Sequence, residues 1–254
     1  MKIVVLSSGS KGNVAYLETQ NKKFLLDVGR NYKFINESLK EIDVDIKSID
    51  YVVITHNHKD HILGLKTVLD KTGAALIVSE KQFYLLEDIK DYKHIIILDK
   101  EIDLDEVHIT SFKSSHDALD SRNYIFEENG KKVCLVTDTG YINKKNFKCL
   151  SNLDVYLFES NHDIEMLMHG PYPDWLQKRV LSDKGHLSNK AASFYLTKLI
   201  GDNTKKVVLI HLSETNNTEK KALDTIKDTF REYDIKFDDI VCARQNEKTE
   251  VIRI

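Results

Sequence analysis

His56, His58, Asp60 and His61 stand within six residues of one another, directly after the apolar, β-prone run 51–55. In an extended chain, residues two apart project to the same side, so His56 and His58 are placed to grip one ion together. A helix starting near Asp60 turns Asp60 and His61 in a new direction, towards a second ion. Imidazole and carboxylate are the donor set of Zn²⁺ and also serve Mn²⁺ and Fe.

The geometry recurs along the chain. The apolar run 132–137 ends at Asp138, the run 206–210 ends at His211, and a strand over 106–112 is followed within a few residues by His116. Open α/β sheets gather their ligand sites just past the C-terminal ends of strands. Any one of these residues alone reads as a polar strand end; together they read as a metal site.

The elements that must position them follow from periodicity. Strands are expected over 2–6, 15–18, 23–27, 51–55, 75–78, 94–98, 106–112, 124–127, 132–137, 154–159 and 206–210, with 241–243 and 249–254 closing the sheet. Helices are expected over 34–42, 60–70, 80–89, 175–181, 188–200 and 219–233. Fully apolar strands interleaved with amphipathic helices imply sheets covered by helices on their outer faces. A doubly wound α/β fold and a four-layer αββα sandwich both satisfy this, and the hairpin-rich start favours the sandwich. No repeat, low-complexity tract or linker divides the chain, so a single domain over 1–254 is expected.

Composition excludes several classes. With 41% hydrophobic and 30% charged residues, ten Gly and two Pro, the chain is neither disordered nor fibrous. No apolar run approaches the roughly 18 residues of a membrane span, and the start of the chain is too briefly apolar for a secretory signal. Cys134, Cys149 and Cys242 form no C-x-x-C pair, which argues for a reducing compartment; a soluble cytoplasmic protein without membrane contact is expected. The formal charge of −3, from 31 Lys and six Arg against 40 acidic residues, shows no basic stripe of a nucleic-acid binder. A metal site can carry its own positive charge, however.

The pattern H-x-H-x-D-H, followed by a later His, an Asp and a final His, resembles the metal signature of the metallo-β-lactamase fold superfamily. His56, His58, Asp60, His61, His116, Asp138 and His211 match all seven positions, and Asp27 resembles the superfamily's early structural aspartate. The segments 8–13 (SGSKGN), 115–117 (SHD), 137–141 (TDTGY), 159–163 (ESNHD) and 185–189 (GHLSN) narrow the resemblance to the YycJ (WalJ) branch along nearly the whole chain. The resemblance implies the αββα sandwich and two divalent ions, Zn²⁺ or Mn²⁺. It implies His56, His58 and His116 on the first ion, Asp60, His61 and His211 on the second, and Asp138 between them. It further implies a 5′-to-3′ DNA exonuclease.

Two ions sharing a carboxylate leave room for a bridging water whose pKa falls from near 16 towards about 7, giving hydroxide for in-line attack on a phosphodiester. With Asp60 and Asp138 at the metals, the leaving group needs a proton, and His162 and His186, both near strand or helix ends, are the candidate donors. Ser188 and Asn189 open a helix whose N–H groups suit a phosphate, and Lys59 sets a positive charge beside the metals. The two prolines fall in Gly170-Pro171-Tyr172-Pro173, a shaped loop read as a substrate wall or a contact with a second copy in a homodimer. Trp175 reads as core rather than a base-stacking platform, and Lys178-Arg179 as a solvated pair rather than a phosphate clamp. The alternative functions are a phosphodiesterase for small or cyclic nucleotides and a regulatory binding protein that kept the fold with weak catalysis.

Overall fold

The computed structural model describes residues 1–254. The chain begins with an antiparallel meander, β1 (Lys2–Ser7), β2 (Val14–Glu18) and β3 (Lys23–Leu26). From there it winds parallel through α1 (Tyr32–Lys40), β4 (Tyr51–Val53), α2 (Lys59–Ile62), α3 (Leu65–Thr72), β5 (Ala75–Val78), α4 (Glu80–Phe83) and β6 (Ile95–Ile97). The second half repeats this plan. An antiparallel meander of β7 (Glu101–Leu104), β8 (Val107–Lys113), β9 (Arg122–Glu128) and β10 (Lys131–Val136) comes first. Parallel strands β11 (Val155–Glu159), β12 (Lys206–Ile210) and β13 (Ile240–Cys242) follow. Their connections carry α5 (Phe147–Leu150), α6 (Ile164–Met168), α7 (Asp174–Leu181), α8 (Asn189–Leu199) and α9 (Glu219–Glu232). Finally β14 (Ile252–Arg253) returns to pair with β1. The two seven-stranded sheets run β14-β1-β2-β3-β4-β5-β6 and β13-β12-β11-β10-β9-β8-β7.

Strand side chains alternate between two apolar layers, which is why the strands read as unbroken hydrophobic runs. From β1, Ile3 and Val5 join Phe24, Phe126, Leu157 and Val208 between the sheets, whereas Val4 and Leu6 pack outward with Ile35, Leu39 and Leu69 of α1 and α3. On the other sheet, Val136, Phe158 and Leu209 pack outward against Leu196 of α8 and Ile226 of α9. The result is the four-layer αββα sandwich. No helix is long and apolar enough to cross a membrane.

Three local departures from periodicity have physical causes. The helix expected over 60–70 divides at Leu63-Gly64, where the Gly64 N–H bonds to the Val28 carbonyl and a Cβ would come within 2.2 Å of the Arg30 carbonyl oxygen. The helix expected over 80–89 stops at Phe83 after a Ser79–Gln82 capping box, because Gln82 turns inward to donate to the Thr55 and Asp120 carbonyls. Strand β7 was not expected; its alternation of exposed and half-buried residues is too weakly apolar to register.

Candidate metal centre

The functional side chains lie past the C-terminal ends of strands in both sheets. Asp27 follows β3, Asp138 comes two residues after β10, and His211 follows β12; all three adopt left-handed backbone, with φ of 56°, 49° and 57°. Aspartate tolerates this conformation better than most residues. At His211 it is held by the backbone N–H bonding to Ser8 Oγ (2.7 Å) and the carbonyl accepting from Asn161 Nδ2 (2.9 Å). β3 and β10 are also the strands at which each sheet changes from antiparallel to parallel.

The ring nitrogens converge in overlapping groups around Asp138, one of which joins it to Glu159, His186 and His211 and another to His56 and His61. One potential ligand atom from each of His56, His58 and His116 lies within 4.8 Å of the others, and Asp60, His61 and His211 form a second such group. Asp138 faces both: Oδ2 is 3.3 Å from His61 Nε2, and Oδ1 is 3.6 Å from His116 Nε2. A metal-ligating histidine ordinarily has its other ring nitrogen tied to an oxygen, which fixes tautomer and orientation. Four of these five are tied in that way. His56 Nδ1 meets Thr55 Oγ1 (3.0 Å), His61 Nδ1 meets Asp27 Oδ2 (2.7 Å), His116 Nδ1 meets the Gly185 carbonyl (3.3 Å), and His211 Nδ1 meets Glu159 Oε1 (3.0 Å).

The opposite nitrogens, His56 Nε2 and His211 Nε2, are buried without a hydrogen-bond partner. Buried polar atoms left unpaired are costly unless something fills the place, so the donor set fits divalent cations. The charges are balanced accordingly. Burial alone would push His61 and His211 down, but Asp138, with Asp27 and Asp60 at His61 and with Asp60 and Glu159 at His211, outweighs it; His61 rises well above its usual value and His211 to about 10. Burial likewise pushes Asp60 up, and the neighbouring His61 and His211 hold it far below the carboxylate range.

Beside this cluster is a cleft of about 250 Å³, lined by His58, Asp60, His116, Asp138, His186 and His211 on the metal side. The opposite wall is Tyr172, Leu176, Arg179 and Val180, so the proline loop and α7 form one side of it. Lys178 and Arg179 are both exposed, as expected of a solvated pair, and Arg179 Nε in addition donates to Asp117 Oδ2 (2.6 Å). Trp175 is 66% exposed rather than in the core, because α7 presents Leu176 and Val180, not Trp175, to the protein.

His186 lines the cleft with Nδ1 donating to Glu159 Oε1 (2.8 Å). His162 is placed otherwise: it follows β11 as expected but is buried and outside the cleft lining, and burial lowers its pKa to about 4 despite Glu159, so it is a neutral imidazole near pH 7. Lys59 is exposed on α2 and outside the cleft lining. Ser188 and Asn189 are spent internally: Ser188 Oγ caps α8 at the Ala191 N–H, and the Asn189 amide bonds Ser160 and Asn217. Ser10, Asp117, Asn161, Arg179, Lys184 and Ser213 also line the cleft; of these, Lys184 and Ser213 belong to no motif that the sequence singles out.

A family model described as the beta-lactamase superfamily domain matches residues 25–212. Exodeoxyribonuclease WalJ of Streptococcus pneumoniae is 38% identical over 241 residues, covering 92% of this chain and 90% of the relative. Exodeoxyribonuclease YycJ of Bacillus anthracis is 34% identical over 233 residues, covering 90% and 88%. Among solved structures, the metallo-beta-lactamase fold protein YhfI of Bacillus subtilis superposes with a TM-score of 0.74 at 14% identity, covering 98% of both chains. Human tRNase Z, short form, superposes at 0.68 and 14% identity over 100% of both. These two share the fold. By its matched domain and its full-length relatives, the chain belongs to the beta-lactamase superfamily and, within it, to the family of the WalJ and YycJ exodeoxyribonucleases.

Proposed function

We propose that this chain is a metal-dependent phosphodiester hydrolase that removes nucleotides from DNA ends. The observation that carries the reading is Asp138 between two histidine groups, with a further histidine, His186, on the wall of the same cleft. His56, His58 and His116 with one Asp138 oxygen would hold one ion, and Asp60, His61 and His211 with the other oxygen a second; Zn²⁺ and Mn²⁺ both suit these donors. Such ions would supply activation of water at neutral pH and positive charge against the phosphate oxygens.

The remaining work falls to the chain's own residues. Glu159 takes the Nδ1 proton of His186 in a hydrogen bond, leaving Nε2 as the atom that delivers a proton to the departing oxygen. Arg179 and Lys184 place cationic side chains along the cleft, where they neutralise phosphates flanking the reacting one. Release from the 5′ end is the polarity that the family resemblance implies, and the WalJ and YycJ relatives support DNA as the substrate.

The test is Mn²⁺-loaded protein on end-labelled linear duplex DNA, with an Asp138→Asn variant and a chelated sample alongside. Stepwise release from the 5′ end, abolished in both controls, is expected. Intact DNA in the loaded sample would overturn the nuclease reading, and cyclic or dinucleotide phosphodiesters would then be the substrates to assay.

A further inference from the structure

The sole tryptophan of the chain is 66% exposed, whereas Tyr16, Tyr124, Tyr156, Phe24, Phe126 and Phe158 are fully buried. An aromatic side chain carries a large apolar surface, and one left in water forfeits that burial. Trp175 is on α7, four residues before Arg179 and three after Tyr172, and both of those line the metal cleft. Residues four apart on a helix are surface neighbours, so Trp175 extends the cleft wall outward from Arg179.

The helix that carries it is locked to the metal-bearing loops. Arg179 is bonded to Asp117, next to His116. Ser115 Oγ donates to the Asp183 carbonyl (2.7 Å), and the His186 N–H bonds the Val180 carbonyl (3.0 Å). Gly140 and Gly185 permit still closer packing there: a Cβ on Gly140 would fall 2.3 Å from the Asp183 backbone, and one on Gly185 would fall 2.1 Å from the Val180 carbonyl oxygen. The backbone of α7, and with it the Cα of Trp175, is therefore held at a fixed place relative to Asp138 and His186.

We propose that Trp175, flanked by Tyr172 and Arg179, is a nucleobase-stacking platform at the mouth of the metal cleft, taking a base of the strand whose phosphate enters it. This rests on the DNA-hydrolase reading and adds to it a binding determinant independent of sequence, since every base has a π-face. Lys178 on the same helix, with Arg179 and Lys184 on the cleft wall, favours a phosphate-bearing occupant over a protein one, because lysine is depleted from the cores of protein interfaces.

The single indole makes intrinsic fluorescence a reporter of this one position. Metal-loaded protein is titrated with a phosphorothioate oligothymidylate, which resists hydrolysis, and with a chain of equal length whose sugars lack bases. The thymidylate is expected to quench the emission; the abasic chain, with the same charge, is not. Trp175→Ala weakens thymidylate binding about ten- to a hundredfold, Trp175→Phe retains most of the affinity, and both bind the abasic chain as the parent does. Equal quenching by the abasic chain, or undiminished thymidylate binding by Trp175→Ala, would overturn the proposal. So would a Trp175→Ala variant that turns a dimer into a monomer in sedimentation while its thymidylate affinity holds; the indole would then be a contact between copies. Failure of the hydrolase reading is separate: it shows as intact end-labelled DNA, whatever the stacking result.

Discussion

Glu159 holds His186 by a 2.8 Å hydrogen bond from Nδ1, and the same oxygen accepts from Nδ1 of His211 at 3.0 Å. One buried carboxylate thus orients both a metal-type histidine and the proposed proton donor. Its second oxygen is filled by the N–H groups of Thr139 (3.0 Å) and Leu187 (3.2 Å), which tie the loops after β10 and before α8 to the end of β11. Burial pushes this carboxyl up, but His186 and His211 more than offset that and bring it down to about 2, so it is ionised at neutral pH.

The two histidines predict different losses. His186→Ala should lower kcat about 10²- to 10⁴-fold with metal content intact. Glu159→Gln keeps the shape, but its NH2 must face either the two histidine Nδ1–H groups or the N–H groups of Thr139 and Leu187. It should cost about 10- to 100-fold in metal affinity through His211, with a fall in kcat besides. Metal analysis of both variants beside steady-state rates separates the roles. Unchanged kcat in fully loaded His186→Ala would remove that residue from the mechanism.

The contrast shows what a sequence can carry. The run from His56 to His61 is legible because strand and helix periodicities dictate where neighbouring side chains go. Asp138 and His211 are legible because each ends an unmistakable buried strand. Glu159 ends such a strand too, but its role depends on two histidines 27 and 52 residues away, and no local period encodes that. Ser188 and Asn189 fail in the opposite way: a helix start looks the same whether its polar side chains cap the helix or meet a ligand. Trp175 reads as core because an aromatic in an amphipathic segment normally is; α7 instead lines a cleft and covers no sheet. The repeated plan of the two halves is likewise invisible, since it is a repeat of hydrogen-bonding order rather than of residues.

Gly29 supplies a prediction about the ligands on α2 and about His58, which caps it. A Cβ there would fall 1.6 Å from the Asp60 carbonyl oxygen and 2.6 Å from the Asn13 nitrogen, both backbone atoms. Asp60 and His61 share the single turn of α2 and His58 caps it, whereas His56 and His116 lie outside that helix. Gly29→Ala should therefore push α2 aside, destabilising the fold by about 1–3 kcal/mol, and lower the metal-to-protein ratio by releasing the ion at Asp60, His61 and His211 first. Thermal melting and metal analysis check this. Full metal content in the variant would mean that α2 can shift without disturbing its ligands.

The loop that carries His116 is anchored by a buried ion pair, and this pair predicts an acid sensitivity. Arg122, 5% exposed, reaches Asp120 Oδ2 at 2.8 Å and Asp99 Oδ1 at 3.2 Å, joining the end of the loop to the turn between β6 and β7. Burial pushes the Asp120 carboxyl up, but the hydrogen bonds and charge of Arg122 prevail and hold it below the usual carboxylate value. A carboxyl whose pKa is lower folded than unfolded contributes stability that is full above the unfolded value, about 3.9, and is lost as the pH falls through the folded one. Removing Arg122 leaves that carboxylate only the exposed Lys113, 3.5 Å away, as a charged partner; breaking a buried pair typically costs about 3–5 kcal/mol, and the residual partner reduces this. Arg122→Met should therefore lower the urea midpoint markedly near pH 7. The gap between variant and parent should narrow at a pH below the ordinary carboxylate value, as Asp120 protonates and no longer needs the guanidinium. A gap of constant size at both pH values would show that Arg122 acts through packing rather than through its charge.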